Sequence, residues 1–359
     1  MIGFFSISYM SLFSFSGNNL YLGIDIGDAS LKMVELKKKN RHIYLSNYAF
    51  SESTSDVSFT KMTDINYLAR AINKIKTESG ITSKRVTASL PTFAVFSSII
   101  NIANVDKKGL AAAINEEAKK VIPLPLEEMT LDWKVIPEAD GKIPTKGNMR
   151  VFLTGSPKKL VRKYIDIFKA TKLSLASLET ETFSLVRSLL GDDKSTVMIV
   201  EIGANSTDLS IVKESIPVLN RSLMVCASTV TKALAEKMGL TYAQAEQFKC
   251  DLSGALSADA QEEVPQFLVK VLEPIVTEMQ YMLDFFRSQN SGEVEKVVLS
   301  GGGALLLNLA EYLSSRLNLK VIIGDPWNRI HYPAELKPVL SEVGPRLAVA
   351  IGLAMREIE

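Results

Sequence analysis

The sequence predicts an α/β protein in which one strand-meander unit occurs twice and a smaller α/β subdomain sits between the copies. Three observations carry this. "GIDIGDASLKMVELK" (23–37) and "IVEIGANSTDLSIVK" (199–213) share apolar–acid–apolar–Gly, small polar residues, then a second apolar run. The 359 residues exceed one ordinary compact domain and suffice for two. The stretch from 84 to 178 alternates strand and helix patterns unlike either copy.

Each element follows from local pattern. An apolar strand at 20–26 turns at Gly27 into a second at about 30–37, and "HIYLSNYAF" alternates well enough for a third. "TDINYLARAINKIKTESG" places Ile65, Leu68, Ala69, Ile72 and Ile75 on one helical face, with Thr63 as N-cap and Gly80 as stop. "RVTASLP" is a strand closed by Pro91, "KKGLAAAINEEAKKVI" a helix, and "MTLDWKVI" and "MRVFLTGSP" are strands around a polar loop. Ser156 and Pro157 open a helix. A helix at about 180–190 leads to strands at 195–202, 207–213 and 216–222 and helices at 227–238 and 241–249. A long helix over 262–288 is expected to break near Pro265 and Pro274. "VEKVVLSGGGALLLNLAEYLSSRL" reads strand, glycine turn, helix; "KVIIGDP" is a strand; "GPRLAVAIGLAMREI" is a closing helix. The expected division is a tail at 1–19, a first subdomain at 20–83 completed by the helix at 344–357, the insertion at 84–178 and a second domain at 179–359.

Composition bounds the function. Hydrophobic residues at 47% and charged residues at 23% are an ordinary soluble balance, and a net charge of +1 gives no electrostatic case for nucleic acid. Cys226 and Cys250 make no disulfide framework and read as plain buried thiols of a reducing compartment. His42 and His331 are far apart in the chain, which argues against zinc. Residues 1–24 carry no charge; with no basic leader and a run of serines, they read as neither signal peptide nor spanning helix. A short apolar tail packing on the body, a partner or a membrane surface is expected, with a disordered leader as the alternative.

The repeat carries the chemistry. Two tight glycine hairpins facing each other across a cleft would clamp a polyphosphate with backbone N–H groups, helped by the hydroxyls of Ser30, Ser206 and Thr207. Asp25 and Glu201, each two residues before the glycine, would meet the phosphates through Mg²⁺ or its waters; the plainer alternative is an acid capping each strand end. Gly301, Gly302 and Gly303, between a β-branched strand and a helix, permit close backbone approach and an anion at a helix N-terminus, or mere packing.

Two such hairpins with a late "SGGG" resemble the actin-like ATPases, whose fold duplicates ribonuclease-H-like domains. More narrowly, "LGIDIGDASLKMVEL", "VIPLPLEEMTLDWKVI", "AQAEQFK", "VVLSGGGALLLNLAEYL" and "RLAVAIGLAMR" resemble the PilM family, cytoplasmic actin-like components of type IV pilus assembly, from about residue 20 onward. The segment 84–178 matches in position the subdomain inserted in FtsA and PilM.

The resemblance implies an ATP- and Mg²⁺-binding protein with slow or negligible hydrolysis. Gly27, Asp28, Ala29 and Ser30 would form the first phosphate loop with Lys32 beside it, and Gly203, Ala204, Asn205 and Ser206 the second. Glu246 and Lys249, on one helical face, would reach ribose and adenine, or form a surface ion pair. Gly302 and Gly303 would back the adenosine. Glu181 would orient water, or cap its helix. Asp28 stands where relatives carry Ser or Thr, and Glu201 where Asp is commoner; both put turnover in question. The implied role is a scaffold at the inner membrane that holds the cytoplasmic tail of PilN in a groove beside the insertion and links the platform to the motor ATPases. An FtsA-like division subunit is disfavoured by the ending "AMREIE", directly after the last core helix. A small-molecule kinase is disfavoured by the lack of a recognisable substrate acid.

Overall fold

The structure, a computed structural model, describes residues 19–52, 64–106, 108–138, 143–144, 146–254, 266–289 and 292–358. The apolar tail, Thr63 and Pro265 lie outside them.

The chain opens with an antiparallel meander, β1 (Leu20–Ile26), β2 (Ser30–Lys39) and β3 (His42–Glu52), followed by α1 (Ile65–Glu78) and β4 (Arg85–Leu90), which pairs parallel to β1. The N-cap of α1 is Asp64, whose Oδ1 accepts from the Tyr67 amide at 3.0 Å. The insertion is a three-stranded sheet of β5 (Phe96–Asp106), β6 (Met129–Val135) and β7 (Lys146–Pro157), ordered β5-β7-β6, with α2 (Leu110–Val121) in its core. α3 (Lys158–Thr171) and β8 (Ser174–Thr180) then return to the first sheet. Of the segment 84–178, β5, β6 and β7 form a separate sheet packed on α2, whereas β4 pairs parallel with β1 and β8 with β4 in the first sheet.

α4 (Glu181–Leu185) runs into a π-helical turn at Val186–Leu190. The second meander is β9 (Val197–Ile202), β10 (Thr207–Lys213) and β11 (Ile216–Leu223), followed by α5 (Ala227–Met238), α6 (Tyr242–Gly254), α7 (Gln266–Ser288) and β12 (Lys296–Ser300). α7 passes through Pro274 unbroken, because Leu272, Ile275, Val276, Met279 and Met282 bury one continuous face around it. α8 (Leu309–Leu317), β13 (Lys320–Ile323), the two-residue β14 (Ile330–His331) and α9 (Lys337–Met355) complete the chain.

The duplication is visible in topology. The first sheet is ordered β14-β3-β2-β1-β4-β8 and the second β11-β10-β9-β12-β13. Without β14 both have the same order, two antiparallel pairings and then two parallel ones. Even the bulge recurs, between Glu35 and Leu36 in one copy and Ile211 and Val212 in the other. α9 is apolar nearly all round because it is buried nearly all round: Leu347, Ala350 and Ile351 face the first sheet, Ala348, Val349 and Leu353 the second. It is long and apolar enough to cross a membrane, yet it serves as the core between the halves.

Candidate functional site

The two hairpin tips close the same way. The Gly27 amide donates to Ser30 O at 3.0 Å and the Gly203 amide to Ser206 O at 2.9 Å. A Cβ would stand 3.2 Å from Ser30 O in one and 3.1 Å from Ser206 O in the other, so glycine is favoured by crowding inside the turn. These two amides are thus used within their turns. Thr207 is buried and donates to Val225 O at 2.7 Å, and Ser206 donates to Asp208 at 3.1 Å, so both expected hydroxyl donors are engaged by the protein itself. The N-terminus of α5 is likewise engaged, since the Ala227 and Ser228 amides donate to Gly203 O and Ala204 O at 3.0 Å each.

Both tips line one cleft. Asp25, Gly27, Asp28, Ala29, Ser30 and Lys32 form one wall, and Glu201, Gly203, Ala204, Asn205, Ser206 and Asp208 the other, with Pro91, Phe93 and Glu181 across the end. The strand register explains how these charges meet. Asp25 pairs with Lys32 across the first hairpin, and at the equivalent positions Glu201 pairs with Asp208 across the second. Duplication therefore yields two pairs of equivalent positions, 25 with 201 and 32 with 208, and of these four residues three are acids and one a lysine. Asp208 and Ser89 were not singled out from sequence; aligning the hairpins residue by residue, so that 32 falls on 208, would have found the first.

The electrostatics are those of crowded, partly dried acids. Asp25, 2% exposed, accepts from Ser89 Oγ at 2.9 Å and from Lys32 Nζ at 2.8 Å. Burial works to lower Lys32, but Asp25, with Glu201 and Glu181 behind it, outweighs that and raises its pKa. Glu201 is pushed up to about 8 by burial, helped by Asp25 and Asp208 and opposed by Lys32. Its Oε2 is buried with no hydrogen-bond partner. Burial, with Glu201, Asp25 and Asp208 facing it, holds Glu181 well above the usual carboxylate range, although its Oε2 accepts from Thr92 N at 2.8 Å and Thr92 Oγ1 at 3.0 Å. Burial also raises Asp208, against hydrogen bonds from Ser222 and Ser206.

An orphaned carboxylate oxygen among an excess of acids fits a hydrated divalent cation. Glu201 is the residue that would face it. Asp25, expected beside it as a ligand, accepts from Ser89 on one oxygen and from Lys32 on the other, which leaves each oxygen a further lone pair. Among the described residues no three His, Cys, Asp or Glu side chains stand close enough to form a protein-only metal site. His42 and His331, distant in sequence, do meet, Nδ1 to Nε2, at 3.0 Å on the edge of the first sheet.

The remaining expected residues lie outside the cleft lining. Lys249 is buried and donates to Glu246 at 2.7 Å and Thr231 Oγ1 at 2.8 Å, tying α6 to α5. The glycines of "SGGG" pack rather than open a helix. A Cβ at Gly301 would stand 2.4 Å from Ile202 O and one at Gly303 2.2 Å from Ile202 Cγ2, so they admit the tip of β9. A 3₁₀ turn at Gly302–Leu305 follows, and α8 begins only at Leu309, which corrects the expected helix N-terminus at the glycines. Gly302 alone is exposed.

A family model described as type IV pilus assembly protein PilM matches residues 23–358. The chain belongs to the PilM family. Among solved structures, a PilM-PilN type IV pilus biogenesis complex superposes on this PilM-family chain with a TM-score of 0.81 at 25% identity, covering 94% of this chain and 98% of that one. Ethanolamine utilization protein EutJ from Carboxydothermus hydrogenoformans gives a TM-score of 0.57 at 14% identity, over 94% of this chain and 90% of that one. MreB 5 of Spiroplasma citri, bound to AMPPNP, gives 0.55 at 12%, over 96% and 97%. The PilM-family chain thus has the actin-like ATPase fold, two duplicated halves with the insertion in the first.

Proposed function

We propose that this PilM-family protein is a cytoplasmic nucleotide-dependent scaffold of type IV pilus assembly, peripheral to the inner membrane, which takes ATP with Mg²⁺ between its hairpins and holds the cytoplasmic tail of PilN beside its inserted sheet. The observation that carries the nucleotide reading is the shared cleft, with a buried, partnerless Glu201 oxygen beside a lysine held by Asp25. The family match and the likeness to a PilM-PilN complex support the partner; they favour neither a division subunit nor a small-molecule kinase.

The cavity measures about 70 Å³, far below the roughly 300–1,000 Å³ of pockets that enclose a drug-sized ligand. Ligand entry therefore requires the halves to part, and the ligand selects among their angles. Lys32 orients and neutralises phosphate, and the Asp28–Ser30 and Ala204–Ser206 turns line it. Glu201 holds cation-bound water; the cation, when bound, offsets phosphate charge. Glu181, whose carboxyl is held above the usual range by burial and by Glu201, Asp25 and Asp208, closes the end of the cleft, where it would orient water. Glu246, Lys249 and Gly302 border the adenosine in this reading. The scaffold passes the halves' angle to the platform and motor ATPases through the tail.

Calorimetric titration of ATP–Mg²⁺ and of a synthetic PilN tail tests this. Both bind, and Glu201→Gln and Gly302→Asp weaken ATP while sparing the tail. Parent-like ATP binding by both variants overturns the site; failure of the tail to bind overturns the scaffold role.

A further inference from the structure

β1 runs from the opposite end of the sheet to the acidic cleft, and that opposite end is basic. Along it, in strand order, lie His331, then Arg41 and His42 at the start of β3, Lys37 to Lys39 at the end of β2, Asn19 and Leu20, and Lys84 and Arg85 at the start of β4. Lys172 stands just before β8, which is tied to β4 by the Ser174 amide donating to Lys84 O at 2.8 Å. Lys39, Arg41, Lys84 and Lys172 are exposed and make no ion pair among the described residues. Among the described residues the acids nearby are engaged: Glu35 is buried and accepts from the Thr82 and Ser83 amides, Glu357 pairs with Arg85, and Glu78 lies 3.9 Å from Lys74. With a whole-chain charge of only +1, the molecule is polar, acidic at the cleft and basic about seven residues of strand away.

The second observation concerns the chain that leaves this end. The Lys38 amide donates to Asn19 O at 3.2 Å, and Ser83 Oγ donates to Leu20 O at 3.4 Å. Residues 1–18 therefore join the body in the middle of the basic row, between β2 and β4. They carry no charge and include Phe4, Phe5, Phe13 and Phe15. An apolar segment or a basic patch alone gives only marginal membrane attachment; together they give stable, reversible attachment to anionic bilayers.

We propose that this end of the first sheet docks directly on an anionic phospholipid bilayer, residues 1–18 entering the interface while Lys39, Arg41, Lys84 and Lys172 meet the lipid phosphates. The cleft then faces away from the bilayer. This contact is separate from any PilN tail and does not rest on the nucleotide reading.

Flotation of the full chain with vesicles tests it, without any partner protein. Vesicles of phosphatidylcholine with phosphatidylglycerol carry the parent upward, and high salt releases it. Pure phosphatidylcholine vesicles do not carry it. The triple variant Lys39→Glu, Arg41→Glu, Lys84→Glu loses about fivefold per residue, about a hundredfold in all. The variant with Phe4, Phe5, Phe13 and Phe15 each changed to Ser loses attachment as well. Both variants bind ATP as the parent does, so failure here is distinct from failure of the cleft. Absence of parent flotation, equal flotation on neutral vesicles, retention by either variant, or association of copies without vesicles overturns the proposal.

Discussion

Glu201→Gln is predicted to stabilise the ligand-free protein while weakening its ligand. The side chain titrates near 8 in the folded protein against an ordinary value of 4.5. Below pH 4.5 folded and unfolded chains are both protonated and the residue has no effect. Between 4.5 and 8 the unfolded chain has released the proton and the folded chain retains it, so stability falls as pH rises. At about 1.36 kcal/mol per pH unit, the loss is about 3 kcal/mol by pH 7 and approaches about 5 kcal/mol above pH 8. Glutamine keeps the shape and removes the titration, and the acids around it accept from its amide. Urea melts of parent and variant at pH 5, 7 and 9 should nearly coincide at pH 5 and separate progressively above it, the variant melting later. A constant difference across that range would refute the burial and crowding assigned to this carboxylate. The trade of stability for a charged site is a common one.

ATP–Mg²⁺ binding should release protons at pH 7, because a cation beside Glu201 favours its ionised form; calorimetry in buffers of different ionisation enthalpy reads this as a slope, and a smaller slope is expected for Glu201→Gln, in which the raised Glu181 and Asp208 carboxyls remain. Glu179→Ala should lower stability by about 3–5 kcal/mol, since Arg187 and Arg356, both 2.7 Å from its carboxylate, lose their counter-charge where β8 meets α9; a thermal melt checks it. Gly303→Val should cost about 1–3 kcal/mol or more by pressing on Ile202, and should weaken ATP by displacing the tip of β9.

The fold was legible because its signals are local and doubled. Strand, glycine, strand occurs twice at the same spacing, and a helix apolar all round, "LAVAIGLAM", announces burial on two sides. Which strands of 84–178 join the first sheet was not, since β4 is placed by pairing with β1 and β8 by pairing with β4, both long-range facts. The opposed hairpins and the acids at 25 and 201 could be read from the repeat. The hydrogen-bond partners of Asp25 could not: they depend on Ser89, distant in sequence, and on the register that brings Lys32 opposite. The glycines of "SGGG" look the same whether they admit a ligand or, as here at 301 and 303, an isoleucine.

In the proposed function two equivalent hairpins close together on one magnesium-bearing triphosphate. Hydrogen exchange of the full chain with and without Mg²⁺ and AMPPNP measures it at the amides of 27–32 and 203–208. Both turns should slow together, and only when Mg²⁺ is present. Slowing of one turn alone, or of neither at saturating nucleotide, would rule out a shared triphosphate site.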